Sequence, residues 1–246
     1  MRRFALLFAV LAPLAAAAPA HAAPRQAVKL LDCETALGQT GRSAVFEGRM
    51  RSVAGAQRLQ MRFSLQARRQ GGGWRGVQAP GLGRWVSSDS GVKRYVYTKR
   101  VENLAAPASY RALVRFRWLD ADGKRVLSAS EVSPVCAQPD LRANLRALSM
   151  DVGPGAEAGQ ASYSVALANR GRAISDAFSL ALTVDGQAVA PLRVEALEPG
   201  ERRTVTLTGP PCPSGAVLSA DLDPNGEVDE RSETDNRLTR SCPAPL

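Results

Sequence analysis

A strict two-residue alternation limits this chain more than any other feature. Leu59, Met61, Phe63, Leu65 and Ala67 are interleaved with Arg58, Gln60, Arg62, Ser64, Gln66 and Arg68. Successive side chains of a strand point to opposite faces, so this stretch predicts one apolar sheet face and one face of arginines turned to water. Tyr110, Ala112, Val114, Phe116 and Trp118 repeat the pattern against Arg111, Arg115 and Arg117. Asp120-Ala121-Asp122-Gly123 then turns the chain into Arg125 to Val132, which predicts a hairpin. Further along, Tyr163, Val165 and Leu167 alternate, and Phe178, Leu180, Leu182 and Val184 do so ahead of the tight-turn pair Asp185-Gly186. Val205 and Leu207 follow Pro199-Gly200, and Ala216, Leu218, Ala220 and Leu222 lead into Asp223-Pro224-Asn225-Gly226. About seven short strands in each half, punctuated by Gly and Pro, predict an all-β chain of two tandem immunoglobulin-like antiparallel β-sandwiches. Of the 246 residues, 45% are hydrophobic and 22% charged, which is enough apolar material for one or two cores and too much for a disordered chain.

The first residues read as a leader. Arg2 and Arg3 form a basic start, Phe4 to Ala18 an apolar run interrupted by Pro13, and Ala20-His21-Ala22 the small-x-small pattern of a cleavage site. Residues 1–22 are therefore expected to be a signal peptide, because the run is too short to cross about 30 Å of hydrocarbon. No later segment reads as a membrane span, so the product is expected to be secreted or periplasmic. Cleavage also removes His21, the only histidine of the chain. Ser-His-Asp triads, Cys-His nucleophiles and His-ligated metals need an imidazole, and so drop out.

An oxidising compartment pairs thiols, and four cysteines allow three pairings. Cys33 opens the first strand-like stretch and Cys136 closes the last one before a Pro-Asp junction, while Cys212 and Cys242 bracket the end of the chain. Cys33 with Cys136 and Cys212 with Cys242 is the expected arrangement. In the chain-entropy view the long loop contributes about 4.7 kcal/mol and the short one roughly 3.5 kcal/mol. Zinc is the weaker alternative, since no C-x-x-C pair is present.

Charge divides the chain near Pro139. Residues 23–138 hold 20 Lys and Arg against 8 Asp and Glu, whereas residues 139–246 hold 10 against 15. Nine of the eleven Phe, Trp and Tyr beyond the leader lie in the first half, among them Trp74, Trp85 and Trp118. The expected organisation is a basic sandwich over 23–138 and an acidic one over 139–246, with a linker too short for independent tumbling.

The second half resembles the CARDB family, the cell-adhesion-related domain found in bacteria. Pro139-Asp140-Leu141, the stretch Val165-Ala166-Leu167-Ala168-Asn169-Arg170-Gly171 and Leu197-Glu198-Pro199-Gly200-Glu201 carry the likeness. Its most specific part is Ala220-Asp221-Leu222-Asp223-Pro224-Asn225-Gly226-Glu227-Val228-Asp229-Glu230 with Glu233-Thr234-Asp235-Asn236, where Asp235 stands in place of a frequent Asn. The resemblance implies an immunoglobulin-like sandwich and a role in binding or adhesion. The first half is loosely similar to fibronectin type III domains, and Leu104 followed by Tyr110-Arg111-Ala112-Leu113-Val114 resembles a tyrosine corner.

Arg68, Arg69, Trp74, Arg75, Arg84 and Trp85 form the candidate ligand-binding constellation, joined by a Gly-rich, Pro-containing segment. Indoles among guanidinium groups can stack on sugar rings while neutralising sulfate, phosphate or carboxylate. The same two tryptophans also read as plugs for the sandwich ends. Asp221-x-Asp223-x-Asn225-Gly226 resembles the start of a calcium loop, but Ser232 stands where a bidentate Glu is needed, so a solvated hairpin turn is the stronger reading. No catalytic residue, metal or cofactor is assigned.

These features predict an exported, non-enzymatic binding or adhesion protein that contacts a protein or cell-surface partner. One alternative places the contact on the basic half, with an anionic glycan or another cell-envelope polyanion as partner. Another class, a carboxylate-dependent hydrolase using Asp229, Glu230, Glu233 or Asp235, lacks an obvious cleft. If the leader reading holds, Edman sequencing of the exported product will begin at Ala23 or Pro24; a product that retains Met1 would remove it.

Overall fold

The computed structural model describes residues 24–243, so the expected leader lies outside the described residues. Nine strands form first: β1 (Gln26–Glu34), β2 (Ser43–Arg51), β3 (Arg58–Arg68), β4 (Arg75–Val77), β5 (Trp85–Ser87), β6 (Arg94–Glu102), β7 (Ala108–Leu119), β8 (Arg125–Val132) and β9 (Cys136–Gln138). One sheet has the order β1-β2-β6; the other has β3 and β7 at its centre, β4 and β5 beside β3, and β8 and β9 beside β7. Seven more strands follow: β10 (Leu145–Pro154), β11 (Ala161–Asn169), β12 (Phe178–Val184), β13 (Gln187–Val194), β14 (Arg202–Gly209), β15 (Val217–Leu222) and β16 (Arg237–Ser241). They make the sheets β10-β11-β14 and β13-β12-β15-β16. All strand pairs are antiparallel. If β4 with β5, and β8 with β9, are each counted as one interrupted strand, both halves share one plan. The first, second and fifth strands form one sheet, and the fourth, third, sixth and seventh form the other. The architecture is all-β, as the alternation requires.

The alternating residues go where their period sends them. Leu59, Met61, Phe63 and Leu65 of β3 and Tyr110, Ala112, Val114, Phe116 and Trp118 of β7 are buried in one cluster with Phe46, Met50 and Val101 from the facing sheet. Full burial of each large side chain contributes about 1.5–3 kcal/mol. Trp118 Nε1 donates to the Arg51 carbonyl at 2.7 Å, which satisfies the buried indole and ties β7 to β2 across the core. Tyr110 Oη donates to the Ala105 carbonyl at 2.9 Å, so the expected tyrosine corner forms. A second cluster holds Leu145, Met150, Tyr163, Val165, Leu167, Phe178, Leu180, Leu182, Leu218, Ala220 and Leu222. At Gly171 a Cβ atom would lie 2.4 Å from the Ala143 carbonyl carbon, so only glycine lets these two backbones approach.

The cystines pair as expected. Cys33 joins Cys136 with Cα atoms 5.5 Å apart, and Cys212 joins Cys242 at 5.7 Å. The first links β1 to β9 and therefore one sheet to the other. Both use up thiols that a zinc site would need, and among the described residues no cysteine is free. No helix among the described residues is long and apolar enough to cross a membrane.

Replacing Cys33 and Cys136 together by Ala should lower the unfolding free energy by about 2–5 kcal/mol. Urea unfolding followed through emission of the buried Trp118 measures it. A loss under about 1 kcal/mol would show that packing alone holds the two sheets together.

Candidate functional site

The residues singled out around the Gly-rich segment do not converge on one point. Trp74 lies half-buried under two guanidinium groups, with Arg111 4.1 Å and Arg68 4.9 Å from the ring centroid. Trp85 sits in β5 under Arg117, at 3.8 Å. The two indoles therefore occupy separate cation–π stacks on the outer face of the β3–β7 sheet, and neither plugs an end of the sandwich. Arg69, Arg75 and Arg84 are exposed and touch neither ring at that range. Arg68 and Arg69 instead line a cavity of about 550 Å³ with Gly71, Gly72, Pro107 and Gln138.

Arginines of the two alternating runs stand in register beside Trp85. Trp85 pairs with Arg62 on β3, Arg62 with Arg115 on β7, and Arg115 with Ser130 on β8. One step along, Ser87, Gln60, Arg117 and Ser128 form the neighbouring row. Directly paired residues share a sheet face, so both rows point outward. Arg62, Trp85, Arg115, Arg117, Ser128 and Ser130 of these rows line, with Arg125, a depression of about 370 Å³. Arg62 is less exposed than a wetted strand face implies, and its Nε is buried without a hydrogen-bond partner. The signal for this set was present in the two alternating runs; which arginine faces which required the register.

The acidic segment of the second half is built differently. Asp223 takes the backbone N–H groups of Glu227 and Val228, both at 2.8 Å, and so closes its own turn. Asp221 pairs with Arg237 on the adjacent strand, and Arg142 pairs with Asp140 and Asp229 at 2.9 and 2.8 Å. Asp221 and Asp223 are thus held by separate partners and do not converge as calcium ligands. Among the described residues no group of three or more His, Cys, Asp or Glu is placed to hold a metal ion.

Glu230, only 3% exposed, accepts from the Leu145 backbone N–H and from Asn236 Nδ2, the latter at 2.8 Å. Asn144 Nδ2 donates to Asp235 at 3.0 Å, and Asn236 Nδ2 also reaches Glu233 at 3.1 Å. Asn169, wholly buried, accepts from the N–H groups of Asn144 and Gly171 and donates to the carbonyls of Ala173 and Leu197. These side chains satisfy backbone groups that irregular segments leave open. Glu230 does so at a cost: burial outweighs its two hydrogen bonds and pushes its carboxyl up to about 7, with Glu233 and Asp223 adding to the rise.

Residues 138–240 match the sequence model of the CARDB family. Among solved structures, a domain of a putative cell surface protein from Methanosarcina acetivorans is 22% identical, covering 42% of this chain and 93% of that domain at a TM-score of 0.37. The CARDB domain of a Pyrococcus furiosus protein, crystallised with di-metal ions, is 20% identical over 42% of this chain and 90% of that one, at 0.36. An exo-chitosanase from Amycolatopsis orientalis is 14% identical at 0.29; the match covers 83% of this chain but 26% of that enzyme. Likenesses of this size bear on neither ligand nor activity. No curated protein sequence matches the chain. The second half resembles CARDB, as the closing acidic pattern had suggested.

Glu230 makes stability depend on pH. Its carboxyl keeps a proton in the folded chain that the unfolded chain, titrating near 4.5, has already lost. Each step upward between those values therefore removes stability. The unfolding free energy of the second half should fall by at most about 3 kcal/mol from pH 4.5 to 7.5. Glu230→Gln, which removes the titrating carboxyl, should flatten that slope in urea titrations. An unchanged slope would assign the dependence to other groups.

Proposed function

We propose that this chain is an exported binding protein of the adhesion type, which holds a protein or cell-surface partner and performs no chemistry on it. The match of residues 138–240 to CARDB carries this reading. The two cystines support an oxidising compartment, where such modules operate. The carboxylates support it as well. Glu230 is buried and committed to strand contacts, Asp229 to Arg142, and Asp235 to Asn144. None of them faces another across an open cleft as a hydrolytic acid–base pair must.

A second reading adds an anionic partner on the basic half, and one observation favours it. Arg62, Arg111, Arg115, Arg117 and Arg125 form no ion pair among the described residues, whereas arginines of the second half, such as Arg142, Arg193, Arg203 and Arg237, do. Charge left uncompensated on a sheet face is available to a ligand.

Fluorescently labelled full chain added to intact cells of the producing organism should bind saturably and be displaced by unlabelled chain. The same preparation should turn over no polysaccharide in a reducing-sugar assay. Non-saturable association would overturn the binding role, and sugar release that disappears in Glu230→Gln or Glu233→Gln would replace it with an enzymatic one.

A further inference from the structure

Antiparallel partners whose side chains share a face have Cβ atoms about 4.5–5.5 Å apart, and like charges there repel. Arg62 and Arg115 are such a pair, in the middle of the β3–β7 ladder. Arg117 lies one row away, about 7 Å along β7, and Arg125 borders the same depression. No carboxylate occupies either row, and no ion pair relieves these arginines among the described residues. Arg62 Nε is also a buried donor that nothing accepts. A sheet stabilised for its own sake would place an acid or a neutral residue opposite Arg62. A local rule broken at the centre of an otherwise consistent sheet marks a place where something else supplies the compensation.

We propose that the outer face of β5, β3, β7 and β8 is a binding site for an anionic polysaccharide. Arg62, Arg115 and Arg117 take its sulfate or carboxylate groups, and Ser128 and Ser130 take its hydroxyls. Guanidinium groups match both anions with paired N–H donors. The hydroxyl and amide rows interleaved with them, including Gln60 and Ser87 linked at 2.9 Å, suit a sugar chain laid flat across the strands. The four strands span roughly 14 Å, enough for more than one sugar ring. Trp85, already capped on one side by Arg117, supplies an edge and a wall to the depression. The aromatics argue against single-stranded nucleic acid, which needs successive open rings on which to stack bases. Here Trp74 and Trp85 stand apart, each under a guanidinium group.

This site deepens the anionic-partner reading above and rests on it. Full chain is titrated at low salt with heparin, dextran sulfate and polygalacturonate, and in parallel with poly-glutamate and oligo-dT of similar charge. Dextran sulfate and polygalacturonate separate a sulfate from a carboxylate requirement. At least one polysaccharide should bind more tightly than both charge-matched polymers. The triple variant Arg62→Gln, Arg115→Gln, Arg117→Gln should weaken it at least tenfold. The equally charged control Arg69→Gln, Arg75→Gln, Arg84→Gln should change it less than threefold.

The single variant Arg115→Glu guards against misfolding. It places an opposite charge beside Arg62 and should raise the melting temperature of the free chain while abolishing polysaccharide binding. Equal losses in both triple variants, tighter binding of poly-glutamate or oligo-dT, or no polysaccharide binding at all would overturn the site. Cell attachment that survives the Arg62, Arg115 and Arg117 changes would also sink it, and would leave the wider binding role intact.

Discussion

The pairing of β3 with β7 carries the first half of this molecule. Its register runs without interruption from Arg58 opposite Leu119 to Arg68 opposite Ser109. Because side chains alternate with period two, one register decides both faces together. It sends Met61, Phe63, Val114 and Phe116 into the core and aligns Arg62 with Arg115 outside. A slip of one residue would bury guanidinium groups and expose the rings. The apolar face thus imposes the like-charge contact on the outer face, and the fold tolerates it because burial of several large side chains outweighs one repulsive outward-facing pair.

Two copies of one strand plan meet opposite demands. In each half the first, second and fifth strands face a sheet of the fourth, third, sixth and seventh. Each half has its own apolar cluster and its own cystine. The surface chemistry is otherwise free to diverge. In the second half five of the ten arginines pair with acids, and the irregular segments are pinned by Asn169, Asp223 and Glu230. In the first half the arginines of the outer sheet face stand without acids. The halves are alike where packing rules and unlike where solvent and ligands do.

Much of this was legible beforehand because it depends on near neighbours in the chain. The alternation at Leu59–Ala67 and Tyr110–Trp118, the Asp120–Gly123 turn and the tyrosine corner follow from spacing or local chemistry; the cysteine pairing, which joins residues 103 apart in the longer case, followed from where the four cysteines bracket the two halves. The three-residue strands β4, β5 and β9 left no periodic trace, since alternation needs several residues to be recognisable. Trp74 stacks with Arg68 of the candidate set, but its nearer partner Arg111 and the Trp85 partner Arg117 lie outside that set. Arg75 follows Trp74 and Arg84 precedes Trp85, and a strand turns adjacent residues to opposite faces. The partners that cover the rings, Arg111 and Arg117, come from β7, dozens of residues away.

What the sequence determined on its own was the all-β class, the charge division, the core-facing residues and the CARDB-like closing segment. The first three rest on periodicity or composition and the last on a resemblance of sequence motifs, all of which exist before the chain folds. Only the tertiary structure decided that Arg62 opposes Arg115, that Trp85 lies under Arg117, and that Glu230 is sealed against Leu145 and Asn236. Those contacts depend on strand register and on which sheet covers which loop. They are set by the sum of many weak burial terms across the fold, and no single segment contains them.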